Sequence, residues 1–272
     1  MLIGTQQYGW FLYYQKENQD FTDHYDQIFA ILNRVGVQAW EGNLDSEVGL
    51  QRLVEKLRAH NLPMPTVYTG GLLHDAGWPT TVDKILRRAT IAQQAGAQIV
   101  SLNPDPKSWK TSSPKTGEEL KIQVEAVQTL ADKLRSNGLQ LAYHYHNKEL
   151  ENSGREFHYM LNSVEENLLG LCLDVHWAYR GSGNSQPALM NLLKLYGRRA
   201  LVLHLRQSRQ GVWLESLGEG DVDYRPVAGY LKALEFDGPA IIELAYEAGT
   251  EITLPIEEAY RQSVAWIKQT FA

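Results

Sequence analysis

The feature that most constrains this chain is a change of period repeated along its whole length. Short apolar runs of four to six residues alternate with longer segments whose apolar residues recur at every third and fourth position. A strand covered on both faces reads as a continuous apolar run, and a helix on one face of a core as a period near 3.6. The alternation therefore predicts a parallel sheet with crossover helices. The expected strands are Leu2–Thr5, Val37–Glu41, Met64–Tyr68, Gln98–Leu102, Leu139–His144, Leu169–Asp174, Ala200–His204 and Ala240–Leu244. The expected helices are Asp23–Arg34, Leu50–Ala59, Thr81–Gln94, Glu118–Arg135, a short one near Phe157–Leu161, Ala188–Leu195, Val227–Leu234 and Ile256–Thr270. Eight strand–helix pairs within 272 residues fit a closed (β/α)8 barrel of the α/β class better than an open doubly wound sheet. No linker rich in Gly, Ser or Pro divides the chain, so residues 1–272 are expected to form one barrel domain.

The longer loops all follow strands: Tyr8–Phe21, Thr69–Pro79, Asn103–Gly117, His176–Pro187 and Gln207–Asp223. In a barrel these βα loops build the catalytic face. Composition narrows what that face meets. With 26 basic against 32 acidic residues the net charge is -6, which offers polyanions no long-range attraction, so no nucleic-acid partner is expected. Cys172 is the one cysteine, which excludes an intrachain disulfide and fits a reducing compartment. The start Met1-Leu2-Ile3-Gly4 lacks the basic-then-apolar pattern of a signal peptide, and no apolar run is long enough to span a bilayer. These readings point to a cytoplasmic protein with no membrane partner. Seven Trp and 14 Tyr supply walls for sugar rings or subunit interfaces, and a homodimer is expected from the aromatic loops.

Ionisable residues gather at the ends of the later strands. The fifth ends in His144-Tyr145-His146-Asn147-Lys148-Glu149, the sixth in Asp174-Val175-His176-Trp177, the seventh in His204-Leu205-Arg206, and the eighth in Ile242-Glu243. Carboxylates and imidazoles converging on one barrel mouth repel one another unless a cation offsets them. Mixed oxygen and nitrogen ligands suit one divalent ion among Mn, Mg, Co, Zn or Fe. Asp174, His204 and Glu243 form the expected ligand core. His144, His146 and Glu149 compete for the remaining place, with Glu149 preferred because its charge would neutralise the centre and serve as a base. Trp10, Trp40, Trp109 and Trp177 are candidate sugar-stacking walls, and Glu41 either binds a substrate hydroxyl or forms a buried salt bridge. His144 and His176 are further candidates for substrate contact. Arg180 and Arg206 offer rigid forks for a carboxylate, phosphate or polarised carbonyl. The stretch Gly218-Glu219-Gly220-Asp221-Val222-Asp223 lacks the glycine spacing and lysine of a phosphate loop and is read as a tight loop over the mouth.

These blocks resemble the xylose-isomerase-like TIM-barrel superfamily, which takes in sugar phosphate isomerases and epimerases, inosose dehydratases and endonuclease IV-type repair enzymes. The resemblance spans nearly the whole chain and is strongest at Leu141–Glu149, Leu171–Gly183, Leu201–Arg206, Leu217–Asp223 and Ile241–Glu243. It implies a metal held by a Glu after the fifth strand, an Asp after the sixth, a His from the seventh and a Glu from the eighth. The last three fall on Asp174, His204 and Glu243. The first does not transfer, because His144 stands in its place; the subgroup with a His-Asn-His-x-x-Glu pattern matches better, read here from His144 to Glu149. Relatives commonly carry His-Leu-Lys-Asp after the seventh strand, where this chain has His204-Leu205-Arg206-Gln207.

The expected chemistry is metal-assisted proton transfer beside a carbonyl. A small polyhydroxy carbonyl compound would lose a carbon-bound proton to Glu243, Glu149 or His146 and pass through an enediolate. Return of the proton gives an isomerase or epimerase acting on a ketose, keto-sugar or sugar phosphate. Loss of a β-hydroxyl gives an inosose or keto-sugar dehydratase, and a barrel that binds sugar without catalysis is the remaining alternative.

Overall fold

The eight apolar runs become the staves of a closed parallel barrel in the computed structural model, which describes residues 1–272. The strands are β1 (Ile3–Gln6), β2 (Ala39–Asn43), β3 (Thr66–Gly71), β4 (Ile99–Pro104), β5 (Gln140–Tyr143), β6 (Leu169–Asp174) and β7 (Ala200–Leu205). A small antiparallel hairpin, β8 (Ser208–Arg209) and β9 (Val212–Trp213), stands apart from the barrel, and β10 (Ala240–Ile242) is the last stave. β10 lies between β7 and β1 and closes the ring, with Ile3, Gly4 and Thr5 opposite Ala240, Ile241 and Ile242.

Helices sheathe the barrel: α1 (Gln7–Lys16), α2 (Tyr25–Val35), α3 (Glu47–Ala59), α4 (Trp78–Gln93), α5 (Gly117–Ser136), α6 (Asn147–Ser163), α7 (Val175–Gly181), α8 (Gln186–Tyr196), α9 (Tyr224–Ala233) and α10 (Ile256–Thr270). None is long and apolar enough to cross a membrane. The main core fills the space between the helices and the outer faces of the staves. A second cluster joins Ile99, Ala142, Cys172, Val202 and Ile241, one residue from each of β4, β5, β6, β7 and β10. Side chains two apart on a strand share a face. The residues two further along these last four strands are His144, Asp174, His204 and Glu243, so an apolar layer underlies the ionisable one.

Several expected boundaries move. The third strand starts at Thr66 rather than Met64, because Pro63 and Pro65 have no N–H for the ladder; their carbonyls still accept from Trp40 and from Gln98 and Ile99. The region read as the loop Tyr8–Phe21 contains α1. The Gln6 side chain accepts from the Tyr8 N–H at its start, and Gly9 packs so closely on β10's exit that a Cβ would meet the Leu244 carbonyl oxygen at 2.1 Å. The loop His176–Pro187 contains α7, and Gln207–Asp223 contains the hairpin. The short helix near Phe157–Leu161 is the second half of α6, which starts at Asn147 and breaks where Asn152, Ser153 and Gly154 adopt positive φ.

Candidate metal centre and substrate cavity

Register brings the ligand candidates together. Asp174 is directly opposite His204 in the β6–β7 pairing, and His204 is opposite Ile241 in the β7–β10 pairing. His144 continues the β5 ladder by donating its N–H to Leu102, and Glu243 continues β10 by donating to Leu205. The four side chains belong to four successive staves, and their ligand atoms lie within 4.8 Å of one another. All four residues are buried. Each also leaves a buried atom without a hydrogen-bond partner facing the cluster: both His144 ring nitrogens, Asp174 Oδ2, His204 Nδ1 and Glu243 Oε2. Unsatisfied polar atoms are costly in an interior, and four residues orphaned around one point fit a cation that would satisfy them together. The donor set of two imidazoles and two carboxylates suits a borderline divalent ion.

The surroundings set charge. His144 is held down to about 3 by burial and by His204, so its ring is neutral and ready to ligate. Asp174 is raised by burial and by the Glu243 charge. Burial pushes Glu243 up as well, but Arg206 and His204 outweigh it and hold the carboxyl well below its usual range. Arg206 meets Glu243 Oε1 at 2.6 Å and donates from Nε to its carbonyl, which leaves Oε2 turned toward His204 Nδ1 at 3.3 Å. The other His204 nitrogen lies 2.9 Å from Glu41 Oε1. Burial depresses His204, but the neighbouring Cys172 and Glu41 raise it further, to well above the ordinary imidazole value.

Above the cluster opens a cavity of about 340 Å³ lined by His144, His146, His204, Arg206 and Glu243, with Trp109, Trp177, Tyr68 and others as walls. His146 sits edge-on between Trp109 and Trp177, and burial holds its ring at about 3, neutral. Trp213 stacks its face on the Arg206 guanidinium, 3.9 Å from cation to ring centre.

Other candidates lie elsewhere. Glu149 is outside the four-residue cluster and off the cavity wall. Its Oε2 accepts the His146 N–H that starts α6 and its Oε1 accepts from Asn103, while burial and Glu156 raise its carboxyl to about 6. Glu41 reaches no substrate space; it lies beneath His204 and accepts from Thr66 Oγ1, so the buried ion pair is what forms. Trp10 is a core residue stacked on Tyr260, because α1 turns it inward, and Trp40 is likewise core, packed edge-on against Phe29. His176 is buried against Trp213 and Tyr179, behind the wall. Arg180 forms a two-pronged ion pair with Glu247 and covers the outer side of Trp213. Gln207, where relatives carry Asp, points into the loop after the hairpin: Nε2 donates to Gly218 and Val222 carbonyls, which a carboxylate could not do.

Sequence reasoning missed Gln6, Tyr8, Asn43, Tyr68 and Trp213 on the cavity wall. Gln6, Asn43 and Tyr68 lie in the first three staves, where inward-facing polar or aromatic residues at the C-terminal ends were the available signal. Nothing local marked Trp213, which reaches the site through the unforeseen hairpin.

Comparison with known proteins agrees with this geometry. D-allulose 3-epimerase from Methylomonas sp. superposes with a TM-score of 0.77 at 17% identity, covering 99% of this chain and 97% of that one. The 3-keto-D-glucoside 4-epimerase from E. coli gives 0.71 at 16% identity, covering 99% of both. At such identities the likeness shows the fold. In sequence, inosose dehydratase from Clostridium perfringens is 26% identical over 163 residues, 53% of this chain and 52% of that protein, so the chain spans about half the length of that relative. Inosose dehydratase from Geobacillus kaustophilus is 23% identical over 258 residues, 81% of this chain and 80% of that protein. The family description "Xylose isomerase-like TIM barrel" matches residues 29–270, and the chain belongs to that family.

Proposed function

We propose that the chain is a divalent-metal-dependent isomerase or epimerase of a small ketose or keto-sugar, acting by transfer of a carbon-bound proton. The observation that carries this reading is the orphaned His144–Asp174–His204–Glu243 cluster opening on a cavity with aromatic walls. These four residues would hold the ion, with His144 rather than Glu149 supplying the β5 ligand, since Glu149 is spent on the start of α6. When bound, such an ion supplies Lewis-acid polarisation of a substrate carbonyl and its neighbouring hydroxyl. Glu243, unprotonated and fixed by Arg206, takes the proton from the carbon beside the carbonyl. Arg206 lowers the basicity of that carboxylate, so the reaction depends on a strongly acidified C–H. The neutral His146 ring donates its single N–H to the oxygen on which negative charge grows. Trp109 and Trp177 stack on the apolar face of the sugar, while Trp213, held between Arg206 and Arg180, helps exclude water. Glu149 serves by fixing the His146 backbone.

The same first step precedes β-elimination, and the inosose dehydratases among the relatives make inososes the second substrate class to try. The reading further takes residues 1–272 as one barrel domain in a cytoplasmic homodimer without nucleic-acid or membrane partners, with light scattering the check on the dimer. The test of function is solvent exchange: metal-loaded protein in deuterated water should exchange the carbon-bound proton of a keto-sugar or inosose. Glu243→Gln should keep measurable metal and lose at least about tenfold in exchange, the lower range for a positioned acid or base being about 10²-fold. Unchanged exchange in a metal-loaded variant would remove Glu243 as the base. No exchange by the parent protein with any keto-sugar or inosose under Mn, Mg, Co or Zn would overturn the enzymatic reading.

A further inference from the structure

Beside the metal-centre cavity lies a second, wider cleft of about 650 Å³ between α1, the 3-10 turn Phe21–His24 and the end of β2. Tyr8 and Asn43 line both spaces and form their common wall. The outer cleft has an aromatic floor: Tyr8 and Phe11 stack at 6.0 Å with planes 23° apart, and both are more than one-third exposed, unlike most large apolar side chains here. Its rim carries the exposed amides of Gln15, Asn18 and Gln19 and the carboxylates of Asp20 and Asp45. No Lys, Arg or His lines it. In the inner cavity the one arginine, Arg206, gives Nη2 to the Glu243 carboxylate at 2.6 Å and Nε to its carbonyl, leaving only Nη1 without a partner.

We propose that this cleft binds a second, neutral sugar ring, so that the substrate is a glycosylated keto-sugar rather than a free monosaccharide or a sugar phosphate. Three observations converge on that chemistry. A flat aromatic pair matches the apolar CH face of a pyranose, and amides with carboxylates match its equatorial hydroxyls. A phosphate in the outer cleft would meet two carboxylates and no cation, which is repulsive. The shared wall then places the glycosidic oxygen near Tyr8 and Asn43, with the keto ring over the metal centre and the second ring over Phe11. This substrate class rests on the proton-transfer function proposed above, whereas the cleft's affinity for a sugar ring does not.

Two measurements separate these claims. The first is calorimetric titration of the protein with cellobiose and with glucose, neither of which needs to react. Cellobiose should bind at least about threefold more tightly, the lower end expected of one stacked aromatic contact. Phe11→Ala should remove that preference; Phe11→Leu, which keeps apolar packing against Phe21 but loses the flat face, should do the same. The second is deuterium exchange with a free 3-keto-glucose and with its glucosyl derivative. The glucosylated compound should have the higher kcat/KM, and Phe11→Leu should lower that value alone, chiefly through KM. Equal affinities for the two sugars, or an unchanged preference in both Phe11 variants, would overturn the second-ring site. Faster exchange with the free or phosphorylated keto-sugar would overturn the substrate class. Selective cellobiose binding without exchange by any keto-sugar or inosose would sustain the cleft and overturn the proposed catalysis instead.

Discussion

Replacing Glu41 by Gln removes a charge that touches no cavity, yet it should weaken the metal centre. Its carboxylate lies 2.9 Å from the His204 nitrogen that faces away from Glu243, the place where such a partner fixes ring orientation and raises ligand basicity. The expected loss is about 10- to 100-fold in metal affinity, read by competition with a chromogenic chelator, with the fold kept. Acidity should act on the same centre. Burial and the Glu243 charge raise Asp174 above the usual carboxylate range, and, against burial, Cys172 and Glu41 raise His204 above the usual imidazole range, so both must shed a proton to ligate, whereas His144, at about 3, is already neutral. Metal affinity should therefore fall as pH drops through the raised Asp174 value, by up to about tenfold per pH unit. A flat profile from neutral pH down to about pH 5 would contradict this protonation scheme. Asp174 and Glu149 also explain what single residues disclosed in the sequence. A strand-end carboxylate can be a helix cap or a ligand, and Asp174 is placed for both: Oδ1 accepts from Trp177 N–H at the start of α7 while Oδ2 is left over for the cluster. Glu149 spends one oxygen on its cap and the other on Asn103, which spacing along the chain could not reveal.

At the scale of elements, α5 carries the most explicit start signal. Thr116 Oγ1 accepts the Glu119 N–H, and the Glu119 carboxylate accepts the Thr116 N–H while pairing with Lys107. Thr116→Ala should cost about 1 kcal/mol in urea unfolding. Glu119 is held at about 2 by the Thr116 backbone N–H and then Lys107, below its ordinary 4.5. A depressed carboxylate stabilises the fold above its unfolded value and loses that contribution as pH falls toward the folded one. The stability gap between the parent protein and Glu119→Ala should therefore be full above about pH 4.5 and narrow toward about pH 2. Periodicity identified every stave and the long amphipathic helices because each has one apolar face or a continuous apolar run. It failed at α1, where Tyr8, Trp10, Phe11, Leu12, Tyr13 and Tyr14 leave no polar stripe to define a face, and at α7, seven residues whose start is set by Asp174. The β8–β9 hairpin was invisible for another reason. Its turn, Gln210-Gly211, is short, and its strands are fixed from a distance by Asp221 and Glu247.

For the whole molecule, the cluster joins β5, β6, β7 and β10, half of the closed ring. An ion held there binds the native barrel and not the unfolded chain, and at about a hundredfold excess over Kd it contributes about 2.7 kcal/mol. The thermal midpoint should rise by several degrees with Mn, Mg, Co or Zn and return on chelation. Asp174→Asn should lower the midpoint's sensitivity to metal, and no shift with any of the four ions in the parent protein would count against the centre. Closure itself was legible in the chain, since eight repeats in this length leave little else to build. What was not legible is how the mouth is roofed, because Trp213, Arg180 and Glu247 meet only through tertiary contact, at 34 residues or more apart except for Trp213 and Arg180, which are separated by 33.

Trp213 lies between two guanidinium groups, Arg206 at 3.9 Å and Arg180 at 4.8 Å, with Trp177 against its edge. Indole emission shifts in colour and yield with the charge beside the ring, and one of these two cations is tethered to Glu243. Filling of the centre should therefore change the indole emission without any added dye, and Trp213→Phe should remove most of that change.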